Sequence, residues 1–195
     1  MKKTLIAITL CLVLCLSLAS SAMAQTVTFG SYGYQPLYWD VLYSNSQYTT
    51  LISDSCVACR PFGSGSNWYS SDLRSWLNNS FLYSAFSSSE RNAMYFVDGD
   101  QIRIPSVGDV TNSQYGFSSN RKAQDYSRSA SASSAAINQG VWTNRYGYCS
   151  YYTLTACDST SVYQVCTDGT IGVAGVARDN VGVRVMITVQ TSALY

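Results

Sequence analysis

Apolar and polar positions change their spacing several times along this 195-residue chain, and each change marks a different kind of element. From residue 25 to 53 the spacing is two. Val27 and Phe29 form a short first run, Gly30-Ser-Tyr-Gly33 reads as a turn, and residues 36–43 and 48–53 predict a hairpin across Ser44-Asn-Ser-Gln47. At Ser71 the spacing changes. Leu73, Trp76 and Leu77 fall at i, i+3 and i+4 on one stripe, while Arg74, Ser75 and Asn78 face elsewhere. Ser71 stands where an N-cap hydroxyl meets orphan backbone N–H groups, and Asp72 follows where the helix dipole favours an anion. Ser87-Ser-Ser-Glu90 predicts a capping box and another short helix.

Further along, residues 100–106 read as a strand and 107–112 as a helical turn. Residues 131–139 read as a short Ala/Ser-rich helix ended by Gly140. From Trp142 onward the pattern is β. Residues 151–156, 162–166, 170–174 and 182–189 predict strands, with Asp168-Gly169 a strong hairpin turn.

The first 24 residues carry a different pattern. Lys2 and Lys3, an apolar run over residues 5–18, and Ala22-Met-Ala24 predict a signal peptide cut after Ala24. The apolar run is shorter than the ~20 residues of a membrane span. Leu12-Val-Leu-Cys15 has the look of a lipobox, but Leu14 is too bulky for the position before the cysteine. The expected mature chain is therefore one domain, residues 25–195, exported to the periplasm, the cell surface or the medium.

Charge then narrows the partners. Without Lys2 and Lys3 the chain holds 10 basic and 11 acidic residues, a net charge of −1. No basic footprint exists to neutralise nucleic-acid phosphates, and no basic amphipathic helix to lie on a membrane. Charged residues make up only 12% of the chain, against a usual ~25%. Yet 16 Tyr, 4 Trp and 6 Phe give it ample apolar surface to fold around.

Cys11 and Cys15 leave with the leader, so Cys56, Cys59, Cys149, Cys157 and Cys166 remain as disulfide candidates, an odd number that leaves at least one thiol over. Cys56-Val-Ala-Cys59 has C-x-x-C spacing. No thioredoxin-like β-α-β pattern surrounds it, and the chain has no histidine to complete a mixed zinc site, so a structural role is expected and no metal or cofactor is implied.

Residues 68–78, Trp-Tyr-Ser-Ser-Asp-Leu-Arg-Ser-Trp-Leu-Asn, match a W-x-x-S-x-L-R-x-W-L-N pattern. In this the chain resembles a family of secreted bacterial domains of unassigned function. That family is similar to the C-type-lectin-like fold of formylglycine-generating enzymes and retroelement-diversified variable proteins. Other segments share the resemblance: Trp39-Asp-Val-Leu42, Leu51-Ile-Ser-Asp54, Cys59-Arg-Pro61, Phe81-Leu-Tyr-Ser-Ala-Phe86, Arg121-Lys-Ala123 with Tyr126, and Gly182-Val-Arg184. It implies a single α+β domain, C-type-lectin-like, with antiparallel strands and short helices. Two stretches depart from the family pattern: Trp142-Thr-Asn-Arg-Tyr-Gly147 stands for W-L-R-S-P-G, and Gly182-Val-Arg-Val-Met186 for G-V-R-P-A.

Candidate chemistry is narrow. Without histidine, Ser-His and Cys-His nucleophile systems are excluded. Lys122 has no nucleophile-elbow serine to activate. Asp98-Gly-Asp100 is the one tight acidic pair and reads as a solvated turn, without the further oxygens of a calcium loop. Enzymes of the resembling fold use a cysteine pair, which the resemblance does not map onto Cys149, Cys157 or Cys166.

Recognition has more support. Trp142, Asn144, Arg145, Tyr146, Tyr148, Tyr151, Tyr152 and Asp158 fall in one Tyr/Ser/Asn-rich stretch of the kind binding loops use, where rigid aromatics give contact area and small polar residues adapt hydrogen bonds. Tyr151 and Tyr152 are adjacent, so on a strand one is expected to point outward. The expected function is a non-catalytic domain binding an extracellular glycan or protein through these loops. The alternatives are a cysteine- or Asp-based enzyme on the same fold, or a structural surface domain.

Overall fold

The computed structural model describes residues 26–195. The expected leader and its cleavage site lie outside the described residues. Two larger sheets and one small sheet, with short helices between, form one α+β domain.

The first sheet has the order β1-β2-β3-β12, all antiparallel: β1 (Thr26–Tyr32), β2 (Gln35–Ser44), β3 (Tyr48–Ser53) and β12 (Met186–Gln190). The expected hairpin of residues 36–43 with 48–53 is its centre. Alternation turns Leu37, Trp39 and Val41 inward, and the fully buried Trp39 donates its indole N–H to the Phe29 carbonyl at 2.8 Å. The turn expected at residues 30–33 sits further on, at Gly33 and Tyr34, because the strand continues past Gly30 through a bulge.

The second sheet runs β10-β9-β8-β11-β5: β5 (Ala58–Cys59), β8 (Tyr151–Ala156), β9 (Ser161–Val165), β10 (Ile171–Gly175) and β11 (Gly182–Val183). Asp168 and Gly169 close β9 onto β10, with the Cys166 N–H donating to the Thr170 carbonyl at 2.8 Å. Gly169 is required twice over. Its φ is +78°, and an added Cβ would lie 1.8 Å from the Asp125 carbonyl oxygen. The small sheet joins β4 (Ser55–Cys56), β6 (Ala130–Ala132) and β7 (Tyr148–Cys149).

The stretch expected as one strand over residues 182–189 is two. β11 belongs to the second sheet and β12 to the first, and the chain crosses between them at Arg184. That side chain is buried, donating to the Ser53 carbonyl at 2.7 Å and the Arg128 carbonyl at 3.1 Å, and pairing with Asp40 at 3.2 Å. Its bonds hold the two sheets together at their junction.

The helical stripe from Leu73 to Leu77 is present. Helix α1 (Asp72–Trp76) is capped by Ser71, whose hydroxyl accepts from the Arg74 N–H at 3.1 Å. It continues through a π-helical turn (Leu77–Phe81) into α2 (Leu82–Ala85). Leu73, Leu77, Phe81 and Leu82 enter the largest core cluster with Trp39, Phe62 and Phe86, and Trp76 packs at its edge beneath the Arg60 guanidinium, 4.8 Å from the ring. The Ser87–Glu90 capping box is formed and opens α3 (Ser88–Ala93).

Three expectations are corrected. Residues 100–106 make only isolated bridges, at Asp100 and Arg103, so they form no strand. The helix expected over 131–139 shortens to α4 (Ser134–Asn138), because residues 130–132 pair as β6 and Ser133 supplies the helix cap. The helical turn expected over 107–112 contracts to Asp109–Thr111. Residues 116–129 hold little regular structure and are organised instead by Arg128. Fully buried, its guanidinium donates to the carbonyls of Ser118, Asn120 and Ala123 at 2.9–3.2 Å, and pairs with Asp125 at 3.3 Å.

Candidate functional site

Residues 142–148 form a short, tightly tied hairpin between α4 and β7. Thr143 bridges Cys149, the Asn144 N–H donates to the Tyr148 carbonyl at 2.9 Å, and the Gly147 N–H returns to the Asn144 carbonyl at 3.0 Å. Asn144 faces inward, its Oδ1 accepting from the N–H groups of Tyr146 (2.9 Å) and Tyr148 (3.1 Å). It is the brace of the loop, in the turn-forming role this residue type favours. The Trp142 N–H is fixed to the Asn180 carbonyl at 3.1 Å.

On this frame the large side chains point outward. Trp142 is 58% exposed and Tyr146 66%. The Arg145 guanidinium stacks over the Tyr146 ring, 4.6 Å from its centroid, and donates to its hydroxyl. Tyr148 is half-buried and lies against exposed Tyr126, ring centroids 6.5 Å apart. Tyr126 was visible in the sequence only as part of the family resemblance. Its place beside Tyr148 depends on the loop that Arg128 gathers.

Three of the expected site residues are elsewhere. Tyr151 and Tyr152 are both fully buried, so the expectation that one points outward is overturned. The reason is that both faces of the second sheet are covered: Tyr152 packs into the largest core cluster and Tyr151 into a second one with Cys56, Cys149 and Val165. Each hydroxyl has a backbone acceptor, Tyr151 on the Arg128 carbonyl at 2.7 Å and Tyr152 on the Arg178 carbonyl at 2.9 Å. Burial pushes the Tyr151 phenol up to about 12. Asp158 lies past the far end of β8, roughly 20 Å of extended chain from Tyr151. It caps its own turn, accepting from the Thr160 N–H at 2.8 Å and from the Ser161 hydroxyl. Those bonds hold its carboxyl below the usual range.

The five cysteines among the described residues are free thiols. Cys56, Cys59 and Cys149 are buried, Cys166 half-buried and Cys157 exposed, so the expected disulfides are not formed. Cys56 and Cys149 meet against Gly182, where a Cβ would lie 2.7 and 3.1 Å from their sulfurs. Cys59 donates to the Asp179 carbonyl at 3.0 Å. Burial pushes the Cys56 thiol well up and that of Cys59 to about 11, leaving almost no thiolate at neutral pH. Among the described residues no group of three or more His, Cys, Asp or Glu is arranged to hold a metal ion. No helix among them is long and apolar enough to cross a membrane.

Asp98-Gly99 is the tip of a tight turn, with Val97 and Asp100 exchanging backbone hydrogen bonds at 2.8 and 3.1 Å. Asp100, expected to be solvated, is instead buried and receives Trp68 and Arg74.

The molecule is thus a single α+β domain of mainly antiparallel sheets, with a rigid aromatic hairpin on its surface. Residues 48–191 match the family model described as domain of unknown function DUF6273, and the chain belongs to that family. No curated protein and no solved structure matches the chain.

Proposed function

We propose that this is an exported, non-catalytic recognition domain of C-type-lectin-like architecture. It binds an extracellular glycan or protein through the 142–148 hairpin, using Trp142, Arg145, Tyr146 and Tyr148, with Tyr126 beside them. One observation carries the reading: two large aromatic side chains more than half exposed, on a backbone braced by Asn144. Rigid presentation lowers the entropy lost on binding, and aromatic residues with arginine dominate recognition surfaces. The buried, protonated thiols of Cys56 and Cys59 weigh against the cysteine-enzyme alternative.

The test is glycan-array and pull-down binding of the mature chain beside Trp142→Ala and Tyr146→Ala variants. Loss of a ligand with either variant supports the hairpin. Unchanged binding to every ligand found sinks the assignment.

A further inference from the structure

The helix that starts at Asp72 buries Leu73, Leu77, Phe81 and Leu82. Its other face lines an open cleft of about 600 Å³ together with Phe96, Gly99 and Gln101. This lies within the roughly 300–1,000 Å³ of small-ligand sites. Three aromatic rings stand at the cleft and none is folded away: Tyr69 is 63% exposed, Tyr83 66% and Phe96 71%. Trp68, next to Tyr69, is by contrast buried in the core. The helix also departs from regular geometry here. The π-helical turn (Leu77–Phe81) runs along the cleft wall, and such turns are rare and frequent at functional sites.

We propose that this face is a second binding cleft, distinct from the 142–148 hairpin, and that it takes a neutral oligosaccharide. Charge decides against an anionic ligand. The Arg74 guanidinium is committed to Asp100 at 2.7 Å, and the Arg91 guanidinium lies on the Tyr83 ring, 4.6 Å from its centroid. An anion arriving here meets the exposed Asp72 carboxylate instead of an available cation.

The polar groups of the lining suit hydroxyls. The Asp72 carboxylate and the hydroxyls of Ser75, Tyr69 and Tyr83 make no hydrogen bond to other described residues, so they are available to a ligand. The amides of Asn78 and Asn79 donate to the Arg74 and Ser75 carbonyls at 3.2 and 2.7 Å, and Asn78 Oδ1 accepts the N–H groups of Gln101 and Ile102, both at 3.1 Å. None of the lining residues lies in a strand, so this wall offers no strand edge for an extended peptide to pair with. A sugar ring offers what the lining complements, an apolar C–H face for an aromatic ring and hydroxyls around its edge.

The cleft is tested by titrating the full exported chain with the neutral trisaccharides chitotriose, cellotriose and maltotriose. Amide shifts and aromatic fluorescence provide the readouts. At least one trisaccharide is expected to saturate in the millimolar range or tighter, moving amides of residues 69–83 and 96–101. Tyr69→Ala and Phe96→Ala should each weaken it roughly tenfold, and Tyr38→Ala, at an exposed ring outside both the cleft and the hairpin, should leave it unchanged. Because both rings are exposed, the variants keep their core, which unchanged thermal melting verifies. Saturation by none of the three sugars overturns the proposal, and so does binding that survives the Tyr69→Ala/Phe96→Ala double variant. Shifts confined to residues 142–148 overturn it as well, and would count for the hairpin alone.

Discussion

The indole N–H of Trp68 donates to the Asp100 carboxylate at 2.9 Å across 32 positions of sequence. Arg74 adds its Nε to the same oxygen at 3.0 Å and its terminal nitrogen to the other at 2.7 Å. One buried carboxylate thus ties the loop before α1, the helix itself and the 97–100 turn into a unit. Asp100→Ala strands the donors of two side chains, one of them charged, although Arg74 keeps some access to water. The expected cost is about 2–3 kcal/mol, read by urea denaturation. Asp100→Asn, which keeps an acceptor for Trp68, should lose less. Equal losses for the two variants would show that the retained acceptor contributes nothing and that the whole effect is the lost charge.

Gly182 sits where the thiols of Cys56 and Cys149 converge. Gly182→Ala drives a methyl to within 2.7 Å of one sulfur and 3.1 Å of the other, so it should destabilise by about 1–3 kcal/mol. Adding Cys56→Ala removes the nearer sulfur and should recover part of the loss in a double-mutant cycle. Strict additivity of the two changes would contradict this packing.

Thiol labelling of the native protein should separate the cysteines by burial. Cys157 is expected to react readily, and Cys56, Cys59 and Cys149 only on unfolding. The Cys59 thiol, pushed up to about 11, should not gain reactivity between neutral and mildly alkaline pH. Rapid labelling of Cys56 or Cys59 at neutral pH would revive the catalytic alternative.

Stability should fall on acidification, with Asp109 one source. Burial pulls its carboxyl upward, but the bonds and charge of Arg103, at 2.6 Å, and the Ser106 hydroxyl and N–H outweigh that and leave it below the ordinary value. A carboxyl lowered in the folded state contributes stability that is present above its unfolded pKa and lost as pH falls through its folded pKa. Asp40 works in the opposite sense. Its burial outweighs the attraction of Arg184 and raises its pKa, so its contribution declines as pH rises through the carboxylate range. Asp109→Asn should therefore flatten the acid limb of a stability–pH profile, and an unchanged limb would refute this role.

Tyr151 should behave as framework. Tyr151→Phe removes the bond to the Arg128 carbonyl, which still accepts from Arg184 at 3.1 Å, so a cost of about 1 kcal/mol is expected with ligand binding unaltered. Trp142→Ala should show the reverse: unchanged melting and lost binding.

Much of the local structure was legible in the sequence. The Ser71 cap, the Ser87–Glu90 capping box, the Asp168-Gly169 turn and the inward alternation of Leu37, Trp39 and Val41 each depend on neighbours a few residues away. The candidate hairpin was legible in part. Trp142, Arg145 and Tyr146 were read as surface residues, whereas Tyr151 and Tyr152, of the same residue type, belong to the core.

By itself, then, the sequence determined caps, turns, the stripe of α1 and the positions of most strands, because these are set by short-range hydrogen bonding and periodicity. Tertiary structure decided whatever depends on what covers a face. A strand's alternation says that Tyr151 and Tyr152 point in opposite directions, but only packing on both sides of the second sheet buries both. Asp100 becomes a buried anchor only because Trp68 and Arg74 arrive from a distant segment, and the last strand divides only because Arg184 finds partners between two sheets. Burial is a property of surfaces brought together by the whole chain, and no local window of residues contains it.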